Sequence, residues 1–287
     1  MEIVEKISDL RKRIEKVKKE NKIVGFVPTM GYLHEGHLSL IKRAREECDF
    51  VVVSIFVNPT QFGPGEDYEI YPRDLKRDAE LLEREKVELL FYPSEKEMYP
   101  ENFLTWVEVE KFSEVLEGKF RPGHFRGVCT VVLKLFNIVL PDKSYFGWKD
   151  AQQLIIIKKM VRDLNIPVEI IGCPTVREKD GLAASSRNVY LKEQEREKAL
   201  CLWKSLQKIK ELVELKGIRE TSTLIEEGKK IIEKEEGVEL QYLEVVDIEN
   251  LEKIENLDRD ALIAGAIKIG KVRLIDNIRF INGRIEC

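Results

Sequence analysis

Histidine is scarce in this sequence, with three in 287 residues. The five cysteines (Cys48, Cys129, Cys173, Cys201 and Cys287) are scattered, with no Cys-x-x-Cys pair among them. They read as small core residues and one tail thiol in a reducing compartment. No signal peptide is visible, and no apolar run reaches the roughly 18 residues that a membrane-spanning helix needs. A cytoplasmic protein is the expectation. Neither sign of charge dominates, with 48 Lys and Arg against 52 Asp and Glu and a net charge of −4. That balance gives no electrostatic case for nucleic acid as a partner. A Gly-x-x-x-x-Gly-Lys-Ser/Thr loop, the usual cradle for presenting a γ-phosphate, is missing. Internal repeats and low-complexity segments are missing as well.

What is present supports a folded enzyme-sized chain. Apolar residues make up 43% and supply a substantial core. Charged residues make up 35%, above the usual quarter or so, rich in Lys and Glu with the signs interleaved, a pattern that suits a heat-adapted protein. The length favours two domains.

The most informative stretch is Pro28-Thr29-Met30-Gly31-Tyr32-Leu33-His34-Glu35-Gly36-His37. The apolar run Ile23-Val24-Gly25-Phe26-Val27 precedes it, and Leu38-Ser39-Leu40-Ile41-Lys42-Arg43-Ala44 follows with apolar residues at helical spacing. The segment therefore reads as strand, tight turn, helix. Pro28 is expected to end the strand because it cannot donate to the ladder. Gly31 and Gly36 permit close backbone approach or positive φ. A helix start offers unpaired amides and the positive end of its dipole to an anion. His34 and His37, three apart, lie on one helical face there. They can be capping or packing residues. They can be a metal pair, although Zn²⁺ wants three or four ligands and no Cys or acid stands at suitable local spacing. They can also be phosphate donors, which the glycines and the preceding strand favour. A His-x-Gly-His at a first strand–helix turn is similar to the ATP-binding signature of nucleotidyl transferases and class I aminoacyl-tRNA synthetases.

The rest of the chain extends the pattern. Residues 3–19 read as an amphipathic helix on Ile3, Ile7, Leu10, Ile14 and Val17. Residues 50–57 are a near-continuous apolar run, as expected of a parallel strand covered on both faces, and it stops at the loop chemistry of Asn58-Pro59-Thr60-Gln61. Residues 74–86 read as a helix and 87–92 as a strand. Such alternation indicates a parallel α/β sheet, whose ligands collect at the carboxyl ends of its strands. Between 105 and 116 a short strand and a short helix are expected. A basic loop carrying His124 follows at 119–127, then a buried helix at 128–139. A short strand at 144–146 closes on Gly147-Trp148-Lys149-Asp150, and a helix with Gln152 and Gln153 runs to about 163. Residues 168–171 are the next strand. Past Pro174 the sequence turns polar and aperiodic through Ser185-Ser186-Arg187, donors suited to phosphate oxygens. Two charged helices (192–214 and 219–236) and three strands (240–246, 261–269 and 272–280) complete it. The expected fold is α/β: a Rossmann-like parallel sheet domain over 1–175 and a smaller C-terminal α+β lid domain over 176–287, with the Ser-Ser-Arg loop as hinge.

Taken together, Pro-Thr-Met-Gly at 28–31, His34 and His37, Val57-Asn58-Pro59 with Gln61-Phe62, Tyr71-Pro72-Arg73, Arg121-Pro122-Gly123-His124-Phe125, Phe146-Gly147 with Lys149-Asp150, Gln152-Gln153 and Ser185-Ser186-Arg187-Asn188 closely resemble the pantothenate synthetase (pantoate–β-alanine ligase) family. The resemblance runs in order from about residue 3 to residue 280. It implies an ATP-dependent ligation in which pantoate and ATP give pantoyl adenylate and pyrophosphate, and β-alanine then gives pantothenate and AMP. By resemblance, Met30, Gly31, Tyr32, Leu33, His34, Glu35, Gly36 and His37 bind ATP, with His37 the proton donor. Gly147, Trp148, Lys149, Asp150, Val176, Ala184, Ser185, Ser186 and Arg187 complete the nucleotide site. His34, His37, Lys149, Ser185, Ser186 and Arg187 stabilise the transferring phosphate. Gln61, Gln153 and Asn58 hold substrate. Mg²⁺ is implied as cofactor and a homodimer as the assembly; no residue is assigned as a metal ligand, although Asp78 has the chemistry for one. Two positions depart from the family: Trp148 stands where Glu is common and Ala184 where Met is common. Neither supplies essential chemistry, so both bear on nucleotide affinity and not on reaction type.

Overall fold

The computed structural model describes residues 1–287, and no helix in it is long and apolar enough to cross a membrane. In chain order the elements are β1 (Glu2–Val4), α1 (Ile7–Lys19), β2 (Val24–Thr29), α2 (Glu35–Glu47), β3 (Phe50–Ile55), α3 (Leu75–Arg84), β4 (Leu89–Phe91), α4 (Glu95–Met98), α5 (Glu117–Phe120), α6 (His124–Val139), β5 (Lys143–Gly147), α7 (Ala151–Asp163), β6 (Glu169–Cys173), α8 (Glu193–Lys216), α9 (Thr221–Ile232), β7 (Val238–Asp247), β8 (Ala261–Ile269), β9 (Val272–Ile281) and β10 (Arg284–Glu286). They divide into two compact units. Met1–Glu114, Arg121–Trp148 and Ile156–Cys173 make the first; Val115–Phe120, Lys149–Ile155 and Pro174–Cys287 make the second.

The first unit is a six-stranded, wholly parallel sheet in the order β1-β4-β3-β2-β5-β6. Every residue of β3 is buried, which explains its unbroken apolar run. The order reverses between β2 and β5, so the carboxyl ends of these two neighbours flank the place where such sheets bind ligands. β2 ends at Thr29 and β5 at Gly147, so the segments at 28–37 and 147–148 both leave from that edge.

Several local expectations change. Residues 2–4 form a parallel edge strand against β4, with Ile3 half exposed and outside the helical stripe; the buried stripe of α1 is Leu10, Ile14 and Val17. Three residues are too few to reveal a strand by periodicity. Pro28 does not end β2, for it pairs in register with Ser54. The Val24 and Phe26 carbonyls accept bonds from the β5 side, from the Asp142 amide and the Ser144 hydroxyl, while the Thr29 carbonyl accepts from Phe56 on the β3 side. Pro28 therefore faces β5, where pairing has already stopped after Phe26, and its missing N–H breaks no ladder bond. No strand forms between 105 and 111; a 3₁₀ turn follows at Phe112–Glu114. The basic loop is mostly helical, since α5 ends at Phe120 and α6 begins at His124 after Gly123, whose φ is +79°.

The second unit is an antiparallel sheet in the order β10-β9-β8-β7, with α8 and α9 on one face. β10, absent from the expectation, pairs with β9 through Asn282-Gly283, whose φ values of 49° and 84° are those of a two-residue hairpin turn. The chain enters this unit for good at Pro174, and Ser185-Ser186-Arg187 lies inside it, just past the Arg177–Ala183 bridge. The two earlier returns, Val115–Phe120 and Lys149–Ile155, carry no linker signal because single side chains hold them.

One contact in the first unit fixes the turn after β3. α6 rests backbone to backbone on the 3₁₀ turn Pro59–Gln61, and a Cβ at Gly127 would stand 2.3 Å from the Thr60 carbonyl oxygen and 2.7 Å from Gln61 Cα. Neither neighbour is a flexible side-chain end. Gly127→Ala is expected to cost about 1–3 kcal/mol of stability, the usual range for overpacking, and to displace Gln61. Thermal unfolding measures the first effect, and an unchanged unfolding temperature would show that the turn yields without strain.

Candidate active site

The turn from β2 into α2 is shaped by a carboxylate from α3. Asp78, 1% exposed, accepts from the Tyr32 amide at 2.7 Å and the Leu33 amide at 2.8 Å. Gly31 (φ +83°) and Tyr32 (φ +49°) are both left-handed, which turns these amides toward it. Only glycine fits at 31, because a Cβ there would meet Ile55 at 2.9 Å and Asp78 at 3.1 Å. Arg77 donates to the Leu33 carbonyl at 2.8 Å and its guanidinium lies 4.9 Å from the Tyr32 ring centre. Burial pushes the Asp78 pKa up against the pull of the two amides and Arg77.

The histidines cap the helix that follows. His34 is the N-cap of α2: its Nδ1 accepts from the Gly36 amide at 3.1 Å, and His37 Nδ1 accepts from the His34 amide at 3.3 Å. The rings lie 4.0 Å apart. This is a capping box built from imidazoles. Since both Nδ1 atoms accept, the neutral rings carry their protons on Nε2, assigned from the bonding pattern. The capping reading and the donor reading are thus compatible, one nitrogen serving each. The expected anion site changes in character, however. The amides of Tyr32, Leu33, His34 and Gly36 all donate within the protein.

Beside this turn, Gln61 is buried and oriented. Its Oε1 accepts from Asn58 Nδ2 at 3.1 Å, which directs its NH₂ toward Met30, whose sulfur stands 3.2 Å from Nε2. Asn58, expected to touch substrate, is 1% exposed and fully engaged: Nδ2 also donates to the Gly127 carbonyl, and Oδ1 accepts from the Tyr99 and Thr60 hydroxyls at 2.8 and 3.0 Å. Its bond to Gln61 fixes that side chain's orientation. His124 has the opposite tautomer from the capping pair. Its Nδ1–H donates to the Gln61 carbonyl at 2.8 Å, so Nε2 accepts from Arg121 at 3.1 Å. Arg121 in turn holds Glu66 bidentately at 2.7 and 2.8 Å. Burial pushes the Glu66 pKa up, but the Arg121 bonds outweigh it and leave the carboxyl below its ordinary value. The third histidine is therefore buried and held on both ring nitrogens at the start of α6. At the end of β5, half-buried Gly147 leads into Trp148, whose ring faces the Lys158 ammonium at 5.4 Å. A cavity of ≈ 330 Å³ opens at the strand ends, lined by Met30, Gly31, Ile55, Tyr68, Arg73 and Asp78 among others.

The second unit carries the remaining predicted residues. Lys149 and Asp150 pair at 3.5 Å in a 3₁₀ turn that leads into α7. Of the two glutamines only Gln153 is half exposed; Gln152 is buried, accepting from the Glu117 amide at 3.0 Å and donating to the Val115 carbonyl at 2.8 Å. Val176 accepts from the Ala184 amide at 2.9 Å, Ser185 Oγ accepts from the Arg187 amide at 3.3 Å, and Ala184 and Ser186 are buried. No group of three or more His, Cys, Asp or Glu side chains is arranged to hold a metal ion, and the Asp78 oxygens already serve amides.

The model of the pantoate-beta-alanine ligase family matches residues 2–279. A pantothenate synthetase of Thermotoga petrophila is 57% identical over 277 residues, covering 96% of this chain and 99% of the relative. A crystal structure of pantothenate synthetase from Thermus thermophilus superposes with a TM-score of 0.92 at 47% identity, over 96% of this chain and 98% of that one. A pantoate-beta-alanine ligase from Francisella tularensis, complexed with beta-gamma ATP and beta-alanine, matches with a TM-score of 0.80 at 40% identity, over 96% and 97% of the two chains.

The double use of each imidazole can be separated by substitution. In His34→Asn the amide oxygen replaces Nδ1 as cap, while the Nε2 donor is lost. Turnover should fall about a hundredfold, the usual effect of removing one transition-state donor, with the unfolding temperature nearly unchanged. His34→Ala should lose the same activity and also about 1 kcal/mol of stability from the missing cap. Equal turnover in His34→Asn and the unaltered protein would show that Nε2 plays no part.

Proposed function

The chain belongs to the pantoate–β-alanine ligase family, and we propose that it activates pantoate with ATP as a pantoyl adenylate. It is an amide-forming ligase that joins pantoate to β-alanine. In the proposed first step a carboxylate oxygen of pantoate attacks the α-phosphorus of ATP. The bond to the bridging oxygen breaks, and its electron pair leaves on pyrophosphate. In the second step the amine of β-alanine attacks the acyl carbon, the acyl–oxygen bond breaks to release AMP, and the nitrogen loses its proton to give pantothenate. No side-chain nucleophile is required, because AMP carries the activated acyl group.

The observation that carries this reading is the imidazole pair at the carboxyl end of β2, with Nδ1 used in capping and the proton on Nε2. Phosphoryl transfer is catalysed by positioning and by donors fixed where negative charge gathers. Residues 30–37 bind ATP in this scheme, His34 and His37 donating to its phosphate oxygens and His37 serving as proton donor. Gly147, Trp148, Asp150, Val176 and Ala184 complete the nucleotide contacts. Lys149, Ser185, Ser186 and Arg187 neutralise the phosphate chain. Gln61 and Gln153 recognise the hydroxyls and carboxylate of pantoate. The NH₂ of Gln61, aimed by Asn58, suits an oxygen acceptor. The ligands of the Francisella relative support ATP and β-alanine as substrates. Mg²⁺, when bound with the nucleotide, would be held mainly by its phosphate oxygens and would supply charge neutralisation there. A C-terminal lid, a homodimer and a cytoplasmic location belong to the same proposal.

Two measurements test it. With oxygen-18 in the carboxylate of pantoate, one labelled atom per turnover should appear in AMP. Without β-alanine, labelled pyrophosphate should exchange into ATP, since the first step is reversible. Label in inorganic phosphate, with ADP as product, refutes the adenylate. Separately, Gln61→Ala and Gln153→Ala should raise the pantoate requirement more than the ATP requirement, by the roughly 1–3 kcal/mol of an unpaired buried polar group. Equal losses for both substrates would mean that these glutamines serve something else.

A further inference from the structure

Within the second unit, β9 holds every segment to which the proposed function assigns a substrate contact in that unit. Its alternate side chains face opposite ways. Val272, Leu274, Ile278 and Phe280 pack with the residues of α8 and α9, which sets the even-numbered face. On that face Asp276, 5% exposed, accepts from both ends of the Arg177 guanidinium at 2.7 and 2.9 Å. Arg177 lies 3.4 Å over the Trp203 ring and donates to the Gly181 carbonyl. It thus anchors the loop that carries Val176, Ala184, Ser185, Ser186 and Arg187.

The odd-numbered face holds the other segment at two points. Asn277 Nδ2 donates to the Lys149 carbonyl at 3.0 Å. Arg273 grips the buried Glu117 through both guanidinium nitrogens, one of them at 2.7 Å, and Tyr242 donates to the same carboxylate at 2.7 Å. The Glu117 amide then donates to Gln152, the neighbour of Gln153. The Asn277 amide donates to Asp276 Oδ1 at 2.8 Å, so the two faces are tied at adjacent residues.

We propose that β9 is the positioning strand of this enzyme: Asp276 sets the nucleotide loop through Arg177, while Asn277 and Arg273 set the Lys149–Gln153 turn. These residues act through others and touch no substrate. The inference rests on the proposed substrate contacts and adds the support that holds them in register. Displacing a contact by about 1 Å can cost about a hundredfold in rate, so loss of one anchor should be visible in kinetics.

The two faces predict different kinetics. Asp276→Asn weakens the bidentate hold on Arg177 and should raise the KM for ATP about tenfold, with the KM for pantoate within about twofold of normal. Glu117→Gln loosens the Arg273 grip beside Gln152 and should raise the KM for pantoate instead. Asn277→Ala, which releases the Lys149 carbonyl, should raise both. Each is measured with active-site concentration and unfolding temperature determined in parallel, so that a loss of folded protein appears as fewer active sites and not in KM. Should one variant not fold, the remaining two still decide. Unchanged KM values with only a fall in active-site concentration overturn the proposal, since that is what plain destabilisation gives. Lys149→Ala and Ser185→Ala separate the two levels. If neither alters ATP use, the assigned contacts are wrong. If they do and Asp276→Asn does not, only the positioning role fails.

Discussion

The Asp78 carboxylate takes the amides of Tyr32 and Leu33, and what the first strand–helix turn can offer a ligand follows from that contact. A turn that aims successive backbone N–H groups at one point makes an anion-binding concavity. Here the protein fills it with its own anion. The cost of burying the charge shows in its raised pKa; Glu66, with Arg121 against it, lies on the other side of its ordinary value. The sign of each matters for acid stability. A raised carboxyl binds its proton more firmly when folded, so ionising Asp78 costs stability as pH rises above the ordinary carboxylate range. A lowered one contributes stability above that range and loses it on acidification, so Glu66 favours the fold at neutral pH.

The backbone donors of the turn are occupied, and the scaffold decides the orientation of the side chains around it. His34 and His37 must be protonated on Nε2 because both Nδ1 atoms cap the helix. His124 must be protonated on Nδ1 because a carbonyl can only accept. The three histidines therefore have assigned and opposite tautomers. Gln61 has a fixed amide orientation for the same kind of reason: its oxygen faces the NH₂ of Asn58. In the proposed reaction these N–H groups would meet the oxygens of the substrates.

The sequence shows the sheet far better than it shows these orientations. β3 is visible because burial on both faces leaves an unbroken apolar run, and α8, α9, β7, β8 and β9 are visible because each is long enough to express its period. β1 escapes notice at three residues, and Pro28 misleads because a ladder has two sides and only one of them is paired there. The division into units is hidden for a different reason. Val115–Phe120 and Lys149–Ile155 join the second unit through bonds from Arg273, Tyr242 and Asn277, more than a hundred residues away in sequence. Residue type locates His34, His37 and Gln61, but cannot tell that Asn58 is turned inward or that Gln152, and not Gln153, is the buried one.

The same distinction settles what the two departures from the family pattern can mean. Trp148 replaces a common carboxylate, yet its ring meets the Lys158 ammonium at 5.4 Å. A carboxylate at that position would attract the same cation; the indole does so through its π face, a comparable attraction at a partly exposed site. Lys149 meanwhile keeps a carboxylate partner in Asp150. The substitution therefore changes how Lys158 is held more than it changes the field at Lys149. Ala184 is buried, with its amide donating to the Val176 carbonyl. A longer side chain there would have to leave that packed position to touch anything else. Trp148 is thus engaged through its ring and Ala184 through its backbone amide, so the two departures are accommodated in different ways.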